Sequence, residues 1–175
     1  MPAVAESSAS HLSINETLLS AVCGSVDKAL VMCDLKARCV GASRVPCKES
    51  GTVTGMIGVH GNVSGFLTVN VSERFALKAV AHIMQEEVSR ELSSNTIDGV
   101  GELTNMIVGG AKSALAGGDW AFSSITVPSV IVGEGYSIAY ANGLDFLTVT
   151  FEHEDEDAVL LDDRLIHVSM SLLRR

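Results

Sequence analysis

Residues 95–115 read NTIDGVGELTNMIVGGAKSAL, and the organisation of the whole chain follows from how that stretch folds. At about 100° per residue, with Asp98 as zero, Glu102 falls near 40°, Asn105 near −20° and Gly109 near 20°, a stripe roughly 60° wide. Val100, Leu103, Thr104, Ile107, Ala111 and Ala114 fall between about 140° and 240°. The spacing predicts an amphipathic helix from about Asn95 to Leu115, stopped by Gly117 and Gly118, with its acid and amide stripe turned away from the core. Any surface helix shows a polar stripe opposite an apolar one. Two details argue for more than a solvated face. Gly101, Gly109 and Gly110 each cost about 1 kcal/mol relative to Ala in a helix interior. Gly109 also extends the stripe one turn beyond Asn105, where a missing side chain lets another backbone approach.

Upstream of this helix, Ser13 and Glu16 form a capping-box pattern, and Leu18, Leu19, Val22, Cys23, Val26, Ala29 and Leu30 recur at helical spacing. This predicts a first helix over residues 14–31. Residues 34–51 read as a loop with a short strand near 38–42. Val53, Ile57 and Val59, then Val63, Leu67, Val69 and Val71, alternate as two strands around His60-Gly61-Asn62. A three-residue turn there pairs Val59 with Val63 and Ile57 with Gly65, whereas a two-residue turn mixes the faces. Ser72 caps a second helix through Phe75, Val80 and Met84.

Downstream, residues 122–132 read as a strand interrupted by Pro128, which places it at an edge or bend. Residues 136–140 and 144–151 flank an Asn142-Gly143 turn that pairs Ile138 with Leu147, and residues 165–172 form a last strand. Helix followed by hairpin thus occurs twice, which is compatible with a degenerate duplication, although no sequence identity supports one.

The chain has 175 residues, 47% hydrophobic and 19% charged, with a formal net charge of −9. That is enough apolar material for one core, over residues 13–175, after a loose leader at 1–12. The acidic excess is concentrated in Glu152, Glu154, Asp155, Glu156, Asp157, Asp162 and Asp163, and the rest of the chain is close to neutral. No basic cluster is available to cover a phosphate backbone, so nucleic-acid binding is disfavoured. The uncharged run at 50–72 is long enough to cross a bilayer, but its glycines alternate with polar residues as in a hairpin. No signal-peptide pattern opens the chain, and a cytoplasmic protein without a membrane span is expected.

Cys23, Cys33, Cys39 and Cys47 have no Cys-x-x-Cys spacing and read as reduced, buried thiols rather than a zinc site. The five histidines show no ligand spacing within one element, and no metal site is expected. No nucleophile elbow or phosphate-binding loop is present.

Asp98, Glu102, Asn105 and Pro128 match Asp/Ser-x3-Glu-x2-Asn-x22-Pro and so resemble the signature of the CheC/CheX/FliY phosphatases, which dephosphorylate the chemotaxis response regulator CheY. At average residue frequencies the pattern arises in roughly one chain of this length in several hundred. The order of helix, hairpin, helix, motif helix and closing strands is similar to that of CheX over most of residues 13–173. The first helix has Glu16 but Leu19 where a second Glu-x2-Asn would need Asn, so at most one site is present, as in CheX and unlike two-site CheC.

The resemblance implies an α+β fold with helices packed on a mostly antiparallel sheet. It implies hydrolysis of the aspartyl phosphate of a CheY-like receiver domain in chemotaxis or related two-component signalling. Asn105 would orient the attacking water, and Glu102 would pair with the receiver's active-site lysine. Asp98, Gly109 and Pro128 would support the site, and the receiver would bring its own Mg2+, leaving no cofactor to this chain. Two other readings stand beside it: a non-catalytic binding module of the same fold, and a dimeric scaffold with a solvent-exposed helix face. The final strands, residues 144–151 among them, offer sheet edges, so a homodimer joined by strand pairing is expected. The acidic segment at 152–163 and the loop carrying Cys39 and Cys47 are not carried over from the family, and a solvated connector is the expected role of the former.

Overall fold

Three helices lie on one face of an antiparallel sheet. The computed structural model describes residues 13–45, 51–134, 136, 138 and 143–174. The elements run α1 (Glu16–Met32), β1 (Ala37–Ser43), β2 (Val53–Gly61), β3 (Val63–Val71), α2 (Glu73–Met84), α3 (Ser94–Ala114), β4 (Phe122–Ile125), β5 (Ser129–Val132), β6 (Asp145–His153), a short 3-10 turn (Leu161–Arg164) and β7 (Leu165–Arg174). The strand order is β1-β6-β7-β3-β2-β4, with β5 also on β2. The expected α+β architecture is therefore present, matching the order read from the sequence.

Period-2 alternation builds the core face in cross-strand rows. One row runs Phe151, Ile166, Val71 and Val53; the next Val149, Val168, Val69 and Gly55; a third Leu147, Met170, Leu67 and Ile57. These side chains are buried beneath the apolar stripes of the helices. On the opposite sheet face several polar side chains pair with one another across the strands. Thr148 and Ser169 hydroxyls meet at 2.9 Å, and Asn70 Nδ2 donates to Thr54 Oγ1 at 2.7 Å.

Several local expectations change. The cap of α1 is Asn15, whose side chain accepts from the Leu18 amide at 3.0 Å, so Ser13 lies outside the helix. The β2–β3 turn has three residues as expected, but it is centred on Asn62 and pairs Val59 with Gly65 and Ile57 with Leu67. The Asn62 amide donates to Ala121 O at 2.9 Å and its side chain to Gly118 O at 3.2 Å, which holds the turn there. The shift moves each pairing by an even number, so the apolar face is unchanged.

The pairing of Ile138 with Leu147 is not formed: Leu147 opposes Met170 on β7. Tyr136 and Ile138 lie in no strand, and the rest of that segment, with Asn142, is outside the described residues, as are residues 1–12 and Cys47. The strands named as free edges, β6 and β7, are both internal. Among the described residues the edges are β1 on one side and β4 with β5 on the other. Cys39, expected buried, is exposed on β1; Cys33 is buried and Cys23 intermediate.

The acidic segment is not a solvated connector throughout. Asp155 is 6% exposed and receives a two-point hydrogen bond from the Arg74 guanidinium on α2, at 2.9 and 3.1 Å. That bond, with Lys78 nearby, lowers its carboxyl to about 2. Arg38 and Arg164 flank Glu152. Segment 152–163 is thus pinned back against α2 and the end of the sheet through two of its acids.

Candidate functional site

α3 is set by both its ends and its buried side. Ser93 caps it, accepting from the Thr96 amide at 3.2 Å while Thr96 Oγ1 accepts from the Ser93 amide. Thr96, Gly99, Val100, Gly101, Leu103, Thr104, Ile107, Val108 and Ala111 are buried, a wider arc than the spacing predicts. Ala114, assigned to that arc, is exposed, while Leu115 beside it is buried. Burying this side against α1, α2 and β2 leaves the opposite side outward.

Asp98 and Glu102 are exposed, and Asn105 and Gly109 are half-buried. The side chains of Asp98, Glu102 and Asn105 have no hydrogen-bond or ion-pair partner among the described residues. The stripe therefore offers a carboxylate and, nearly one turn on, a carboxamide from a rigid helix, both with unspent hydrogen-bonding capacity. Thr104 is anchored beneath them: its hydroxyl donates to Val100 O at 2.7 Å, and its side chain fills the space over Gly55.

Pro128, 23 residues beyond Asn105 in sequence, is brought to the same helix. A Cβ on Gly101 would meet Pro128 Cγ at 3.4 Å, so the link between β4 and β5 packs on α3 beside the stripe. Thr126 holds that link: its amide donates to Gly58 O at 2.9 Å and its Oγ1 accepts from the Gly58 amide at 2.9 Å. Val127, 82% exposed, adds an apolar tip that was not singled out in the sequence; its one signal is a large hydrophobe before the strand-breaking proline. An open cleft of about 640 Å³ lies elsewhere, beside α2 and lined by Arg74, Lys78 and Asp155. A projecting helix face suits another protein's surface rather than a small molecule.

The helix glycines separate into two kinds. A Cβ on Gly99 would strike Val80 of α2, and one on Gly110 would lie 2.7 Å from Ser25 Cβ of α1, so these two permit close packing within the chain. Their cost is explained by the fold and is no sign of function. Gly109 has nothing within 4 Å of its Cβ position. Accordingly Gly109→Ala should stabilise the chain by up to about 1 kcal/mol, whereas Gly110→Ala should destabilise it by about 1–3 kcal/mol through overpacking on α1. Urea unfolding of the two variants checks this, and equal destabilisation by both would refute the distinction.

The family profile described as "Chemotaxis phosphatase CheX" matches residues 53–152, more than half of the chain. No curated protein sequence matches significantly. Among solved structures, the chemotaxis protein CheX from Vibrio vulnificus is 23% identical with a TM-score of 0.74, covering 89% of this chain and 98% of its own. CheX from Borrelia burgdorferi, in a complex with CheY, BeF3 and Mg2+, is 23% identical with a TM-score of 0.66, covering 91% and 97%. FliY from Thermotoga maritima is 15% identical with a TM-score of 0.60, covering 93% and 92%. At these identities the structural likeness establishes the fold, while the profile spans α2, the motif helix α3 and five of the strands, and on that ground the chain belongs to the CheX family of chemotaxis phosphatases.

Proposed function

We propose that this chain hydrolyses the aspartyl phosphate of a CheY-like receiver domain, with Asn105 holding the attacking water and Glu102 docking the receiver. The observation that carries this reading is the pair of side chains, Glu102 and Asn105, that stand without a partner among the described residues on the outward face of α3 with Pro128 beside it. The Borrelia CheX complex with CheY supports a receiver as the partner.

Phosphoryl transfer from an aspartyl phosphate goes through a loose transition state that asks chiefly for an in-line water and charge neutralisation. As the bond from water oxygen to phosphorus forms, the bond to the aspartyl oxygen breaks and the receiver's carboxylate leaves. A carboxamide is a poor base but holds a water at two points, accepting through Oδ1 and donating through Nδ2. Mg2+ would arrive with the receiver's phospho-aspartate, and this chain holds no cofactor in the reading. Glu102, pairing with a lysine beside that phosphate, fixes the register of the helix over it. Asp98 lies one turn before Glu102 at the rim, and Gly109 leaves room for the receiver's backbone.

Phosphate release from candidate phosphorylated receivers, with and without this chain, tests the reading; no acceleration for any chemotaxis receiver would overturn it. Binding without acceleration would identify the non-catalytic module instead, which has no use for a free carboxamide at Asn105. Glu102→Ala should lower kcat/KM by about tenfold to a hundredfold, mostly through KM, because a docking charge is lost. A change in kcat alone would move Glu102 from docking to chemistry.

No described helix is long and apolar enough to cross a membrane, and we place the chain in the cytoplasm with its receiver. A homodimer is also part of the proposal, now through β1, which pairs only with β6 among the described residues and exposes Val40 by 47%. Light scattering should give twice the chain mass; a monomer at micromolar concentration would remove the dimer and leave the phosphatase reading intact.

A further inference from the structure

We propose that Cys23 and Cys39 form a reversible intramolecular disulfide that ties helix α1 to the edge strand β1. The two residues are far from any redox spacing in sequence, and the fold brings them together. Cys39 opposes Phe151 across the β1–β6 ladder, and partners in an antiparallel pair share a face. Phe151 is 1% exposed, under the helices, so Cys39 ends that core row on the helix side at the sheet's edge. α1 packs on both β1 and β6, and Cys23 lies on the flank of its buried stripe, partly buried against the core.

Burial first, then the charge and hydrogen bond of the Cys39 thiol, push the Cys23 thiol up to about 11. Cys23 is therefore a sheltered thiol, whereas Cys39 is exposed and is the one that a soluble oxidant meets first.

With a peroxide as oxidant the chemistry balances. The Cys39 sulfur attacks the peroxide O–O bond, giving a sulfenic acid and one water. The Cys23 sulfur then attacks the Cys39 sulfur; the S–S bond forms, the S–OH bond breaks, and the departing hydroxide takes the Cys23 proton as a second water. Two thiols lose two electrons and one peroxide gains them. A small thiol restores both by exchange.

The site matters because α1 is the platform behind α3: the close approach of Ser25 to Gly110 joins the two helices. A bond from Cys23 to β1 couples the support of α3 to the sheet edge. The inference is independent of the phosphatase reading.

The test uses the full chain, treated with hydrogen peroxide, quenched, alkylated with N-ethylmaleimide under denaturing conditions and mapped by peptide mass. Cys23 and Cys39 should lose labelling together, appear as one linked peptide, and recover together with dithiothreitol. Cys47→Ser should leave that link unchanged, and Cys39→Ser should keep Cys23 fully labelled. The proposal is overturned if Cys39 oxidises while Cys23 stays labelled, if the link runs to Cys47 or between two chains, or if Cys23 is lost equally in Cys39→Ser. Circular dichroism of Cys39→Ser, at an exposed position, should match that of the parent chain.

Discussion

Asn105→Ala should slow dephosphorylation of a cognate receiver by about two orders of magnitude, since loss of the group that orients a reacting water removes much of the positional advantage. The effect should fall on kcat, with receiver binding close to that of the parent chain, because Glu102 is untouched. Stability should barely change: Asn105 is half-buried with no hydrogen-bond partner among the described residues. Asn105→Asp is the informative companion. It keeps the size and one acceptor but loses the Nδ2 donor and adds a negative charge facing a phosphoryl group, so it should be no faster than the alanine variant. Single-turnover phosphate release, paired with a binding titration on the non-phosphorylated receiver, separates the two quantities. An alanine variant as fast as the parent would refute the role of Asn105.

The largest stability loss is expected far from the stripe. Phe75 in the first turns of α2 is fully buried and meets the His153 ring edge-on at a centroid distance of 4.8 Å. Phe75→Ala should cost about 3–5 kcal/mol, the transfer term plus an unfilled cavity, which is a large share of the roughly 5–15 kcal/mol that holds a domain together. His153 is itself buried, with Nε2 at 3.3 Å from Asp163 O, and burial holds its ring below the ordinary histidine range. It cannot readily move to fill the space. Phe66→Ala, at a residue 48% exposed on the sheet, should cost much less. Urea midpoints for the two variants test the contrast, and near-equal losses would show that the α2–β6 packing contributes little.

The legible parts of this protein are those in which neighbours along the chain suffice. The stripe of Asp98, Glu102, Asn105 and Gly109 follows from helical geometry alone, and the apolar alternation of β2, β3 and β7 identifies strands because every second residue shares a face. Pro128 reads correctly as an interruption: β4 and β5 stop on either side of it, and both pair with β2. Pairing is different in kind. The edge that β6 presents to β1, the turn centred on Asn62, and the place of segment 152–163 depend on partners distant in sequence: Ala121 and Gly118 for the turn, and Arg74 for Asp155.

Residue order alone dictates which residues share a helix or a sheet face, and therefore that an acid and an amide stand together away from the core. Folding in three dimensions adds that Pro128 closes on Gly101, that Gly99 and Gly110 serve packing while Gly109 opens to space, and that Cys39 lies on the side of the sheet that α1 covers. The physical reason is that local periodicity is set by backbone geometry, whereas strand order and close approach are set by long-range burial, which no single stretch of chain contains.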